Sequence, residues 1–129
     1  MIDKNFYKGK NILVAGATGF IGTHLTKKLS NIGAKVVGSY CNHFPHLKLP
    51  NVKFIKADYT NYQDCLTATK NIDFVFMVAA NTSGASVMEK TPLAHLTPNI
   101  VMNSQILAAA YENKVSKFCF VSSNTVYPV

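Results

Sequence analysis

Three glycines, Gly16, Gly19 and Gly22, recur at intervals of three in "GATGFIG", where an apolar run ends and a stretch of helical spacing begins. Each position has a physical use. A glycine at 16 lets the chain leave a strand in a tight turn, one at 19 lets backbone amides approach an anion closely, and one at 22 lets helix and strand pack together. The unpaired N–H groups of a helix's first turn, here those of Phe20 and Ile21, favour negative charge at the same place, as does the helix dipole. The predicted chemistry is the binding of a pyrophosphate, the bridge of a dinucleotide, with the Thr18 hydroxyl as an added donor. A turn that needs small residues for packing alone is the alternative; agreement of all three spacings with both flanks argues against it. His24 reads as a surface residue of the first helical turns rather than a catalyst.

About twenty residues further on, a dinucleotide site commonly carries a carboxylate that binds the adenosine ribose and repels a 2′-phosphate. Here the corresponding stretch is "GSYCNH", with Ser39, Tyr40 and Asn42 but no acid. That favours NADP over NAD while leaving NAD open, because the chain has no arginine to clamp the extra phosphate and only Lys48, His43 or His46 can approach from the loop. Asp58, in "KADYT", is either a cofactor-contacting acid or a turn aspartate ahead of the next helix.

The elements that must position these groups are legible as apolar runs. "NILVAG" (11–16), "KVVGSY" (35–40), "VKFIKA" (52–57), "DFVFMVAA" (73–80) and "KFCFVSS" (117–123) are five strand candidates. Most are continuous rather than alternating, as strands covered by helices on both faces must be, which predicts a parallel doubly wound α/β sheet of Rossmann type. Helices are expected over 20–32, closed by Gly33, over 61–70, and over 98–113 with Thr97 as N-cap and Pro98 in the first turn. The segment 41–51, with two prolines and no period, is a loop.

Composition narrows the function classes. With 129 residues the chain is one domain, and no leader or long apolar span points to a membrane. All 13 basic residues are lysines and they are scattered, so the formal charge of +7 describes a solvated surface rather than a nucleic-acid stripe. The three cysteines, Cys41, Cys65 and Cys119, have neither disulfide nor metal spacing, which suits a reducing cytoplasm and predicts no metal site. Cys119, inside "FCFV", reads as a small buried hydrophobe.

Taken together, "NILVAGATGFIGTHL", "DFVFMVAANTSG", Asn99 and "FVSSNTVYP" resemble the amino-terminal half of an extended short-chain dehydrogenase/reductase, the NAD-dependent epimerase/dehydratase family acting on nucleotide sugars. "AANTSG" and "SSNTVYP" are most similar to the branch that makes GDP-fucose. The resemblance implies a sheet of order 3-2-1-4-5. It implies that Asp58, with Tyr59 beside it, meets the adenine, and that Val78, Ala79 and Ala80 pass beneath the cofactor's ribose. It further implies that 81–86 borders the nicotinamide and sugar, and that Asn99 fixes the active-site backbone. Met77 departs from the pattern, standing where histidine is common. Ser123 takes the place of the hydroxyl catalyst, whereas Ser122 reads as structural. Such enzymes pair that serine with a later YxxxK; Tyr127 is followed only by Pro128 and Val129, so the chain is expected to be the cofactor-binding part of a longer enzyme, a homodimer in full. A non-catalytic NAD(P)-binding regulatory or redox-sensing module is the competing expectation.

Overall fold

The computed structural model describes residues 5–82 and 90–122. Five strands, β1 (Asn11–Ala15), β2 (Lys35–Tyr40), β3 (Val52–Lys56), β4 (Phe74–Met77) and β5 (Lys117–Phe120), form one parallel sheet in the order β3-β2-β1-β4-β5. Three helices join them: α1 (Phe20–Asn31), α2 (Tyr62–Thr69) and α3 (Pro92–Glu112).

Side-chain alternation divides the sheet into two apolar faces. Leu13 and Ala15 of β1, with Val75 and Met77 of β4, pack against Cys65 and Ala68 of α2 and Met102, Ile106 and Ala109 of α3. Ile12, Val14, Phe74 and Val36 point the other way, toward Leu29 of α1 and Ala34. Layers of helix on both faces are what continuous apolar strands require. The connection after β1 goes to β2 on one side, while β4 pairs with β1 on the other, so the strand order reverses beside β1. Ligands of open α/β sheets sit at that reversal, outside the carboxyl ends of the strands.

The strands start and stop within one residue of expectation, except that β4 and β5 close three residues early at Met77 and Phe120. Gly33, at φ +84°, follows the end of α1 as expected. Asn61 caps α2, its Oδ1 accepting the Gln63 N–H at 2.9 Å.

Helix α3 corrects the expected start at Thr97 and Pro98. It begins a turn and a half earlier, with Thr91 as N-cap and Pro92 at N1, and Pro98 lies inside it. "TPLAHLTP" presents the same start signal twice, and the first one is used. The Ala94 carbonyl, which Pro98 cannot serve, belongs to an exposed residue where water can take the bond. Cys119 is a second correction, being exposed rather than buried. β5 is the edge of the described sheet, and alternation turns Cys119 away from α3, toward a face that α1 does not reach.

Candidate functional site

At the reversal point the chain leaves β1 through Gly16, whose φ of +85° is a backbone conformation that side-chain-bearing residues rarely adopt. A Cβ there would stand 2.7 Å from the Ala79 Cα, so the glycine is required by the chain itself. A Cβ on Gly22 would collide with the Gly16 carbonyl oxygen and come within 2.8 Å of the Ala17 Cα, so it too is required for packing of α1 on the turn. Gly19 is different. Its φ of −74° is ordinary, and a Cβ would meet only the Gly16 carbonyl oxygen, at 3.4 Å. Nothing among the described residues needs a glycine at 19.

Gly19 is also the N-cap of α1, where it offers no side chain to the first-turn amides and where no acidic residue follows in the first turn. The amides of Phe20 and Ile21 therefore face a cavity with their hydrogen-bonding capacity and the positive end of the dipole directed at it. The absent Cβ and the uncapped helix end together fit an anion in close contact with backbone, as the pyrophosphate of a dinucleotide would be.

The cavity has a volume of about 790 Å³. Gly16, Thr18, Gly19, Phe20 and Ile21 form one wall, Ser39, Tyr40 and Asn42 the second, Asp58 and Tyr59 the third, and Val78, Ala79 and Ala80 the fourth. Thirteen of the fifteen residues expected to hold a cofactor thus line one space. Gly22 lies behind the wall, and Asn99 acts from a distance. Phe20, 84% exposed, and Ile21, 51%, leave apolar side chains at the mouth.

Ser39 is buried, and its hydroxyl accepts the Gly16 N–H at 3.2 Å and the Tyr59 hydroxyl at 2.6 Å. Asp58 is exposed at the rim, where its Oδ1 accepts from the Thr60 N–H and hydroxyl at 2.9 and 2.7 Å. Those bonds hold its carboxyl below the usual range. The turn reading of Asp58 is therefore realised, and Oδ1 is its only oxygen that the turn engages. His43 alone of the three candidates for a 2′-phosphate lines the cavity; Lys48 and His46 do not. Among the described residues of the lining, Asp58 is the only acid and no lysine is present.

Beyond β4, Asn99 grips the following loop. Its Oδ1 accepts the Asn81 N–H at 2.9 Å, and its Nδ2 donates to the Asn81 and His95 carbonyls at 2.8 and 2.7 Å. This places the amide where it orders backbone beside the cavity. Met77 is buried in the core. Cys41, Ala57, Thr60, Asn81, Thr82, Pro98 and Met102 complete the lining together with His43. Pro98 and Met102 escaped sequence reasoning because their presence depends on how α3 crosses the sheet; Cys41 and Thr60 each neighbour an expected residue, the one signal available for them. Most of 81–86, and Ser123 and Tyr127, lie outside the described residues. Among the described residues no helix is long and apolar enough to cross a membrane, and no group of His, Cys, Asp and Glu could hold a metal.

Comparison with known proteins agrees with this geometry. The chain is 29% identical over 119 residues to GDP-mannose 3,5-epimerase 1 of Oryza sativa subsp. indica, a match covering 91% of this chain and 32% of that enzyme. The structure of Pen from Bacillus thuringiensis superimposes with a TM-score of 0.84 at 31% identity, over 93% of this chain and 40% of that one. A UDP-galactose 4-epimerase structure gives 0.79 at 31% identity, over 91% and 39%. The chain thus spans about a third of the length of the rice enzyme. The family model described as NAD dependent epimerase/dehydratase matches residues 12–129. On the strand order, the glycine turn and that match, the chain belongs to the NAD dependent epimerase/dehydratase family.

Proposed function

We propose that this chain is the dinucleotide-binding part of an NAD(P)-dependent enzyme that epimerises, dehydrates or reduces a sugar linked to a nucleoside diphosphate. The observation that carries the proposal is Gly19: a glycine that the fold does not need, at an uncapped helix N-terminus opening on the cavity. When bound, the nicotinamide supplies reversible hydride exchange with a sugar carbon. The residues of this chain bind and orient. First-turn amides of α1 hold the diphosphate, Asp58 meets the adenine amino group, and Val78 to Ala80 support the ribose on the nicotinamide side. Asn99 fixes the backbone at Asn81, and Ser123 hydrogen-bonds the sugar oxygen at the carbon that changes oxidation state.

NADP is the preferred coenzyme in this proposal, supported by the lack of any carboxylate at the end of β2 and by His43 beside Asn42 in the lining. A GDP-linked sugar is the proposed substrate, supported by the "AANTSG" and "SSNTVYP" segments and by the similarity to GDP-mannose 3,5-epimerase 1. The full enzyme is proposed to work as a homodimer.

Isothermal titration of the 129-residue chain with NADPH and NADH tests the first step. Both are expected to bind, NADPH more tightly, and Gly19→Val is expected to abolish binding of either. Tighter NADH binding would reverse the coenzyme preference; no binding of either would end the proposal.

A further inference from the structure

The amides of the glycine turn are held by one residue of the neighbouring strand. Ala17 N–H donates to the Ser39 carbonyl at 2.8 Å, and Gly16 N–H donates to the Ser39 hydroxyl at 3.2 Å. The first is backbone pairing that any residue at 39 would supply. The second needs a hydroxyl, and it engages an amide lying just past the last residue of β1.

Behind Ser39 stands Tyr59, whose hydroxyl donates to the same oxygen at 2.6 Å. Both residues are almost fully enclosed, at 1% and 3% exposure. Burying two hydroxyls among apolar side chains is unfavourable unless each is paired, and here they satisfy one another and the Gly16 amide together. Burial drives the Tyr59 hydroxyl far above its ordinary titration range, so it stays protonated and remains a donor. Its backbone is fixed too, since the Cys65 thiol at the start of α2 lies 3.4 Å from the Tyr59 carbonyl. The hydroxyl pair therefore ties the ends of three strands, β1 through Gly16, β2 through Ser39 and β3 through Tyr59, at the wall where the dinucleotide is proposed to lie.

We propose that Tyr59 is a positioning residue of the dinucleotide site, acting through the Ser39 hydroxyl to hold the Gly16 amide and with it the orientation of the glycine turn. The proposal rests on the dinucleotide reading above. Ser39→Ala strands the buried Tyr59 hydroxyl and frees the half-buried Gly16 N–H, whereas Tyr59→Phe removes one donor and leaves the Gly16 bond in place but unsupported. The alanine variant is thus the more severe of the two.

Calorimetric titration of the 129-residue chain with NADPH, in the wild type, Tyr59→Phe, Ser39→Ala and the double variant, tests this alongside the amide ¹⁵N–¹H resonance of Gly16. Tyr59→Phe is expected to raise Kd roughly 3- to 10-fold, the worth of one hydrogen bond. Ser39→Ala is expected to raise it further, and the double variant no further than Ser39→Ala alone, because the two act through one oxygen. Binding stoichiometry should stay at the wild-type value while the Gly16 resonance moves in every variant. A purely structural role would do the opposite, lowering stoichiometry through loss of folded protein at unchanged Kd, and would overturn the proposal. Tyr59→Phe differs from the native side chain by a single oxygen, so it decides the matter even if Ser39→Ala fails to fold. If the wild type binds neither NADPH nor NADH, the dinucleotide reading falls and takes this proposal with it; if the wild type binds and Tyr59→Phe matches it, this proposal falls alone.

Discussion

Gly16 and Gly19 sit three residues apart in one motif, yet replacing them has opposite expected consequences. Alanine at 16 would have to adopt a φ of +85° with its Cβ pressed on the Ala79 backbone. That combines strain and overpacking, and a stability loss on the order of 2–4 kcal/mol is expected in urea denaturation. Valine at 19 meets no such obstacle, so its denaturation midpoint should match the wild type while coenzyme binding is lost. If Gly19→Val instead unfolds the protein, the glycine has a packing role that its surroundings do not reveal. A second residue-scale consequence concerns Cys65, whose thiol burial pushes up from 9.0 to about 11. A raised folded-state value favours the protonated form in the fold, so this contribution is fully present below about pH 9 and is lost as pH rises through about 11. The urea midpoint should therefore fall across that window, and Cys65→Ala should fall less steeply. A midpoint with equal pH dependence in both proteins would contradict the assignment.

At the scale of elements, α3 lines the cavity with Pro98 and Met102 and holds the neighbouring backbone through one side-chain amide. Asn99 holds both the N–H and the C=O of Asn81, which clamps the chain leaving β4 to a helix on the same face of the sheet. Asn99→Asp keeps an acceptor for the Asn81 N–H but forfeits the donor to the Asn81 and His95 carbonyls. Hydrogen exchange at the Asn81 amide should accelerate modestly in Asn99→Asp and more in Asn99→Ala, with exchange in β1 unchanged. Equal protection in all three proteins would show that the clamp is dispensable. The strands were legible because continuous Val, Ile, Leu and Phe runs bounded by Gly, Pro and Asn have few other ways to fold. The start of α3 was not, since local sequence cannot rank one Thr-Pro pair over another when tertiary packing makes the choice. The glycine turn, apart from the approach of Ala79 to Gly16, was legible because the positive φ at Gly16 and the close contact of Gly22 with Gly16 and Ala17 are local demands. The Ser39–Tyr59 bond was not. Its partners are twenty residues apart, and their meeting depends on β2–β3 register, which pairs Ser39 with Ile55 and leaves Tyr59 just past the end of β3. The exposure of Cys119 was likewise a property of which strand lies at the edge, not of "FCFV" itself.

For the whole molecule, surface composition sets two opposing forces. A net charge of +7 repels other copies, while α3 exposes Leu93, Ile100 and Leu107 one heptad apart, with Leu96 and Tyr111 beside them, and the β5 edge exposes Phe120 and Val121. Apolar side chains in a row on one helix form a contiguous patch, which dispersed surface hydrophobes do not, and such patches favour association. Repulsion between like-charged copies is screened as salt rises, over a Debye length that falls from roughly 10 Å at 0.1 M to about 3 Å at 1 M, whereas apolar burial is not weakened in this way. The 129-residue chain is therefore expected to self-associate, and to do so more strongly at high salt than at low. Sedimentation of the wild type across that salt range should show the weight-average mass climbing. Ile100→Lys and Leu107→Lys, which place charge in the middle of the stripe on residues 57% and 53% exposed, should return it toward the monomer at little cost in stability. Reversal by both substitutions would locate the contact on α3. Association that persists in both would move it to the β5 edge, where a Val121→Lys variant is the corresponding test, and a monomer at every salt concentration would mean that the lysine shell outweighs the patch.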